Sequence, residues 1–112
     1  MAYNFYNFYK TNVSKDNYDV VFEVPTGEKY LIFDLIIANK SDKNDIVNCV
    51  YSILKSNGTY DDVALIGNAE MLVGSTLPFT DKMVLPAGSK LKVKATEYND
   101  TLDVSVSVLS VE

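Results

Sequence analysis

Four aspartates that lie near one another along the chain and one thiol are the side chains of this sequence with the best placement for chemistry. The aspartates lie in or near the loops that flank one β-prone segment: Asp42, Asp45, Asp61 and Asp62. Their carboxylates could converge on a hard cation such as Ca²⁺. Their spacing matches no calcium-loop pattern, however, and carboxylates in polar loops are usually only solvated. We therefore predict no metal site and no cofactor.

The thiol belongs to Cys49, the one cysteine of the chain, inside the apolar segment DIVNCVYSILK. No histidine is present, so the commonest general base and metal ligand is missing and cannot activate this thiol. We expect Cys49 to be a small core residue and the protein to have no catalytic residues and no enzymatic activity. A single cysteine also excludes an intrachain disulfide, which fits assembly in a reducing cytoplasm.

The charged residues argue against a nucleic-acid partner. All ten basic residues are lysines, and arginine provides the planar fork that best grips phosphate and guanine. The net charge of −5 adds repulsion towards a phosphate backbone. A membrane partner is not expected either, because the longest apolar run, YLIFDLIIA, is short and contains Asp34. The first residues also lack the pattern of a secretory signal.

The elements that would position any site are short β-strands. YDVVFEV, KLKVKATEY and LDVSVSVLSVE alternate apolar and polar residues, whereas KYLIFDLIIAN is apolar on both sides and predicts a central strand covered on both faces. Asn57-Gly58 predicts a hairpin with positive φ at both residues. No segment has a helical period. Seven or eight strands predict an all-β fold, a single antiparallel β-sandwich of jelly-roll or immunoglobulin-like Greek-key topology.

This alternation also predicts the core and one polar face. Lys90, Lys92 and Lys94 are expected in solvent or on a partner. The residues predicted to be buried are Phe22, Leu31, Phe33, Leu35, Val50, Leu91, Val93, Val104 and Val106. Two segments, VPTGEKYLIF and LPAGSKLKVK, share a Pro-x-Gly-x-Lys turn that leads into a strand. They represent either common turn chemistry or two matching corners of a Greek key.

Aromatic residues are concentrated at the start of the chain. Five of the thirteen rings lie between residues 3 and 9: Tyr3, Phe5, Tyr6, Phe8 and Tyr9. As a strand this segment would carry rings on both faces and would aggregate unless it were covered. It is either a first strand that packs on its own sandwich or an arm that lies on another subunit, and we favour the arm. We predict an arm or first strand over 1–17, a sandwich over 18–112, and partner binding by the five rings.

One resemblance follows from the order of turns and strands. EVPTGEKYLIFDLIIAN, then the LPAGSKLKVKA corner, then LDVSVSVLSV resembles the small all-β virion proteins of tailed bacteriophages, over roughly residues 20 to 111. These are head decoration or auxiliary proteins and minor head–tail proteins. The resemblance implies a structural role in the virion, assembly in the host cytoplasm, contacts with capsid, portal or tail proteins and with further copies, and no cofactor.

A second function remains open from the sequence. Tyrosines on the loops of a β-sandwich can stack on sugar rings, so the alternative is a carbohydrate- or host-surface-binding module. That alternative predicts an exposed aromatic platform on one face or at a loop tip. A structural subunit instead predicts aromatic residues in the core or at contacts between subunits.

Overall fold

The chain folds into antiparallel strands in two sheets, described here in a computed structural model that covers residues 3–80 and 82–111. In chain order the strands are β1 (Tyr3–Lys10), β2 (Asp19–Glu23), β3 (Lys29–Asn39), β4 (Asp45–Leu54), β5 (Tyr60–Met71), β6 (Thr76–Phe79), β7 (Met83–Leu85), β8 (Lys90–Ala95) and β9 (Leu102–Val111). Within those described ranges there is no helix, and so none that is long and apolar enough to cross a membrane.

The topology is that of a double-sheet jelly roll. One sheet has the order β1-β9-β3-β6, with β7 also paired to β3, and the other has the order β2-β8-β4-β5. Because β6 and β7 pair with successive parts of β3, they act as one interrupted strand. The chain then changes sheet at every connection except the β4–β5 hairpin, which is the wrapping pattern of a jelly roll. The predicted antiparallel sandwich is confirmed, with nine strands in the described residues where seven or eight were expected.

The core lies between the inner faces of the two sheets. Seven of the predicted core residues are buried: Phe22, Leu35, Val50, Leu91, Val93, Val104 and Val106. Val50 is buried but lies outside the main apolar cluster. Cys49 is fully buried in that cluster, as predicted, and burial raises the pKa of its thiol to about 12. A thiol held neutral in this way is a poor nucleophile.

The prediction that β3 is covered on both faces is wrong, because its outward side is not covered, and two residues expected in the core are not buried. Leu31 and Phe33 are only partly buried, and Ile36 beside them is exposed. The strand is central, but its register with β9 shifts between Ile32 and Asp34, so that Phe33 is an extra residue at a bulge. The bulge resets the alternation, and Leu35 points into the core. Since KYLIFDLIIAN is apolar on both sides, its pattern could not show which residues face outwards.

The two Pro-x-Gly turns are neighbouring corners of the sandwich. One joins β2 to β3 and the other joins β7 to β8, so that each carries the chain from one sheet to the other. They are also hydrogen-bonded to each other. The Val24 N–H donates to the Ser89 carbonyl at 2.8 Å, and the Gly88 N–H donates to the Val24 carbonyl at 2.8 Å. Of the two readings left open by the sequence, the structure therefore shows matching corners.

Two turns differ in detail from their predicted forms. In the first corner the Glu28 N–H donates a hydrogen bond to the Pro25 carbonyl, so Gly27 occupies the third position of the turn. Gly27 has a φ of 85°. That arrangement resembles a type II turn, which needs positive φ at its third position, whereas the sequence PTGE predicts a type I turn with Pro25 second and Gly27 fourth. In the β4–β5 hairpin only Gly58 has positive φ, not Asn57. The Gly58 N–H bonds the Lys55 carbonyl, as in a type I turn followed by a glycine bulge.

Truncation of a buried and a half-buried residue of β3 should have unequal effects on stability. Leu35→Ala removes a side chain that is fully buried and should lower the free energy of unfolding by about 2–5 kcal/mol. Phe33→Ala, two residues away, should cost clearly less because its ring lies outside the core. Urea denaturation followed by circular dichroism measures both. Equal losses would mean that Phe33 belongs to the core after all.

Candidate functional site

Strand β1 fixes the direction of the aromatic residues near the N-terminus. It pairs antiparallel with β9 along its whole length, from Tyr3 opposite Val111 to Lys10 opposite Val104, without a register shift. The described part of the segment is therefore a strand of its own sandwich. Because side chains alternate along a strand, its rings divide between the inner and outer faces of the sheet.

The inner rings close one side of the sandwich. Phe8 lies 5.2 Å from Phe22 of β2 and 5.8 Å from Tyr30 of β3, measured between ring centroids. Tyr6 lies 6.2 Å from Tyr30. Burial, the Glu28 carboxylate and Tyr6 together raise the pKa of the Tyr30 hydroxyl, which keeps it neutral. These spacings are typical of favourable aromatic pairs, so the inner rings, Tyr6 and Phe8, stabilise the fold itself.

The outer rings are exposed. Phe5 keeps 74% of its surface accessible and Tyr9 keeps 72%, and Tyr3 is also on this side. Phe5 stacks on Phe33 of β3, with 5.8 Å between centroids and 22° between the ring planes. The bulge that removes Phe33 from the core thus places it against β1.

An apolar patch results, which we call the outer face, and it is interrupted by Asn7, Asp34, Ser105 and Ser107, which point to the same side. In the strand pairing Phe5 lies opposite Leu109, which lies opposite Leu31, which in turn lies opposite Val84. The outer face consists of Tyr3, Phe5, Tyr9, Leu31, Phe33, Ile36, Val84 and Leu109. Its three β1 rings keep 59% (Tyr3), 74% (Phe5) and 72% (Tyr9) of their surface accessible, and exposed apolar clusters on a monomer often mark an interaction site.

The opposite sheet carries the predicted lysine face. Lys90, Lys92 and Lys94 are partly buried, and their ammonium groups lie over tyrosine rings, at 4.9 Å from Tyr60 for Lys90 and 5.2 Å from Tyr18 for Lys94. Carboxylates also approach this face. Glu23 lies 3.8 Å from Lys90, and Asp62 lies 3.6 Å from Lys92. Local charge is therefore largely balanced, and this face is not a strongly basic surface.

The four aspartates do not form a common site. Asp45 begins β4, whereas Asp61 and Asp62 pair with residues near its other end, roughly 25 Å away at the usual rise per residue. Asp42 and Asp61 are exposed and lie near Lys43 and Lys55, respectively. Among the described residues no cluster of acidic or cysteine side chains could hold a metal ion.

Asp45 has a structural role that its sequence context did not reveal. Its buried carboxylate accepts hydrogen bonds from the Thr101 hydroxyl at 2.6 Å and from the backbone N–H groups of Glu97 at 2.8 Å and Ile46 at 2.7 Å. The N–H groups of residues 96 and 98 donate as well. The side chain therefore anchors the β8–β9 loop to β4.

An open cavity of about 360 Å³ lies beside this anchor. Asn44, Glu70, Leu72, Glu97 and Tyr98 line it together with Asp45 and Ile46. Tyr98 is 44% exposed at the β8–β9 loop, and the Lys43 ammonium lies 5.5 Å from its ring centroid. An exposed aromatic at a loop tip is one of the two arrangements that the carbohydrate-binding alternative predicts, and exposed rings on one face, as on the outer face, are the other.

Comparison with known proteins adds a fold assignment. The sequence matches no protein-family model and no curated protein. The structure, however, is similar to a chain of the T13 particle of infectious bursal disease virus, with a TM-score of 0.62 and 10% identity over 96% of this chain. It is also similar to VP2 of the subviral particle of that virus, with a TM-score of 0.61, 10% identity and 96% coverage.

The similarity covers only part of the viral chains. This chain spans about a third of the viral chains, 30% of the first and 32% of the second. At 10% identity the likeness shows the fold alone, which is the β-sandwich of these virus-particle proteins.

The Asp45 anchor should make stability depend on acid pH. Burial alone would raise the pKa of Asp45, but hydrogen bonds from Thr101 and from the N–H groups of Glu97, Ile46 and Thr96 lower it below the ordinary 3.8. Its contribution to stability is thus present above pH 3.8 and lost as the pH falls through the lower folded pKa.

Asp45→Asn should therefore lower the free energy of unfolding by about 1–3 kcal/mol at neutral pH and flatten its decline in acid. Thermal melts across a pH series measure both effects. Asp42→Asn is the matched control, since this exposed carboxylate has no buried partner and should change neither. Identical pH profiles for wild type and Asp45→Asn would contradict the anchoring role.

Divalent cations should have no effect on stability, because the four aspartates are separated. The melting temperature should stay the same with EDTA, without it, and with added Ca²⁺. A rise with Ca²⁺ that EDTA reverses would show a cation site that the separation of the aspartates does not explain.

Proposed function

We propose that this protein is a non-enzymatic structural component of a virus particle, assembled through protein–protein contacts. The observation that carries the proposal is the outer face: a jelly-roll sheet with stacked rings and aliphatic side chains left open to solvent. Jelly rolls are common among viral capsid domains, and a cluster of exposed rings and aliphatic side chains is characteristic of a surface that another protein covers. The likeness to virus-particle proteins supports the same role.

The finer proposal is a bacteriophage virion protein, of the capsid decoration, auxiliary or head–tail type. It is supported by the sequence resemblance, in which the two Pro-x-Gly corners and the closing strand carry the pattern. Partners would be capsid, portal or tail proteins and further copies of this chain. The protein would reside in the virion after assembly in the host cytoplasm. Mass spectrometry and immunogold labelling of purified particles test this: its absence from particles would overturn the proposal.

The rings proposed for partner binding have unequal roles in this structure. The outer ones, Tyr3, Phe5 and Tyr9, would contact the partner directly. Phe8 would contribute by holding β1 on its own sandwich, and so would Tyr6, which packs near Tyr30 although 42% of its surface is exposed.

A carbohydrate- or host-surface-binding function is the second candidate. Exposed Tyr98 beside the loop cavity favours it, because Asn44, Glu70 and Glu97 could hydrogen-bond sugar hydroxyls there. Saturation-transfer NMR with a panel of host-surface glycans tests it. Binding that is lost in Tyr98→Ala and kept in Tyr60→Ala, a 40% exposed tyrosine at the far end of β5 from Glu70, would support this function.

Point variants of β1 should separate attachment from folding. The double variant Phe5→Ser/Tyr9→Ser should keep its melting temperature within a few degrees, because both rings are largely exposed, yet its incorporation into particles should fall severalfold. Phe8→Ser should instead destabilise the monomer, since Phe8 packs on Phe22 and Tyr30. Quantitative mass spectrometry of particles and thermal melting measure the two effects. Normal incorporation of the double variant would contradict partner binding by the outer rings.

A further inference from the structure

Three of the four sheet edges carry features that discourage pairing with another strand. The β2 edge is only five residues long, has a register shift and begins and ends with Asp19 and Glu23. The β5 edge has register shifts against β4 and bears Asp61, Asp62 and Glu70. The β6–β7 edge is interrupted and contains Pro78. Short length, charges, bulges and proline are the usual protections of sheet edges.

The β1 edge has none of these protections. It is eight residues long, pairs with β9 without a register shift and contains no proline. No charged residue occurs in it before Lys10 at its end. Over residues 4–10, within the described part of the chain, no strand pairs with the side of β1 that faces away from β9. An uncharged, regular and aromatic edge of this length is a template for strand addition.

We propose that β1 pairs antiparallel with β1 of a second copy, forming a two-fold symmetric dimer with one continuous sheet across both sandwiches. This rests on the proposed partner-binding role of the β1 rings and names the partner. A two-fold contact places the same surface on both sides, so it must be compatible with itself. Copies that each carry a net charge of −5 repel one another, and the uncharged segment from Asn4 to Tyr9 is a place where they can meet without opposed charges.

The side chains favour the same arrangement. Antiparallel pairing sets residues of the two β1 strands side by side on each face, which brings together the aromatic rings of both copies. Aromatic cross-strand pairs are among the stabilising pairs of antiparallel sheets. The outer faces of the two copies would also join into one apolar surface twice as large, leaving a broad platform for other particle proteins.

Two lysine substitutions in one row of the outer face test the proposal. Phe5→Lys puts a charge on the pairing edge. Val84→Lys puts the same charge on β7, at a residue that is 62% exposed. β7 lies three strands away from β1 in the sheet, which is a distance of about 14 Å. In sedimentation velocity, wild type and Val84→Lys should have twice the 12.5 kDa mass of one chain, and Phe5→Lys should have the mass of one chain. Circular dichroism confirms that each variant is folded.

Hydrogen exchange of the wild-type protein provides a measurement that needs no variant. In the dimer, alternate amides of residues 4–10 should be protected at high protein concentration and should exchange fast on dilution. Dissociation by both substitutions would indicate that copies meet face to face through the outer face, and would overturn pairing at the edge. A monomeric wild type, or edge amides that exchange fast at every concentration, would also overturn the proposal.

These outcomes are separate from the test of the proposed function. A wild-type monomer that is nevertheless present in purified particles would refute the β1–β1 dimer and keep the structural role, with another protein's strand as the alternative occupant of the edge. Absence from particles would refute the structural role whatever the oligomeric state.

Discussion

The alternation of side chains along β9 is the constraint on which the five-stranded sheet depends, because β9 pairs with β1 on one side and β3 on the other. Its inward residues include Val104, Val106 and Val108, which are buried against the second sheet. Its outward residues include Ser105 and Ser107, which are small. A slip of one residue would exchange the two sets and expose the valines, so the register is strongly specified. The same register fixes β1 and thereby decides which aromatic residues face the core and which face solvent.

Much of the fold could be predicted from the sequence where one face of a strand is polar. In β8 and β9 the alternation assigns each residue to a face, and the predicted core residues there, Leu91, Val93, Val104 and Val106, are buried. In β3 it fails, because a segment apolar on both sides contains no signal for the bulge at Phe33. The order of the strands in the two sheets could not be predicted either. Local patterns define strands and turns, whereas the choice between a jelly roll and an immunoglobulin-like sandwich depends on pairings between residues far apart in sequence.

The candidate site was predictable in composition but not in arrangement. The sequence showed that aromatic residues are concentrated in one segment and that a strand there would carry rings on both faces. It did not show that Phe8 packs on Phe22 and Tyr30, or that Phe5 stacks on Phe33. Those contacts join segments about 14 to 28 residues apart, whose proximity only the sheet order determines. The contacts of Asp45 could not be predicted from its local sequence either. Its neighbours in sequence suggest a solvated carboxylate, and its hydrogen-bond partners come from a loop more than 50 residues later.

The division of the β1 rings would allow one strand to serve both the fold and the proposed assembly. A detached arm would leave β9 at the edge of its sheet and would uncover Phe22 and Tyr30, so its release would cost core stability. With Phe8 and Tyr6 turned inwards, β1 is held in place by its own sandwich, and the outer rings are presented without further ordering of the chain. Binding to a surface organised in this way loses less conformational entropy than binding by a flexible segment. The jelly roll would therefore hold the outer rings in place before the proposed partner binds.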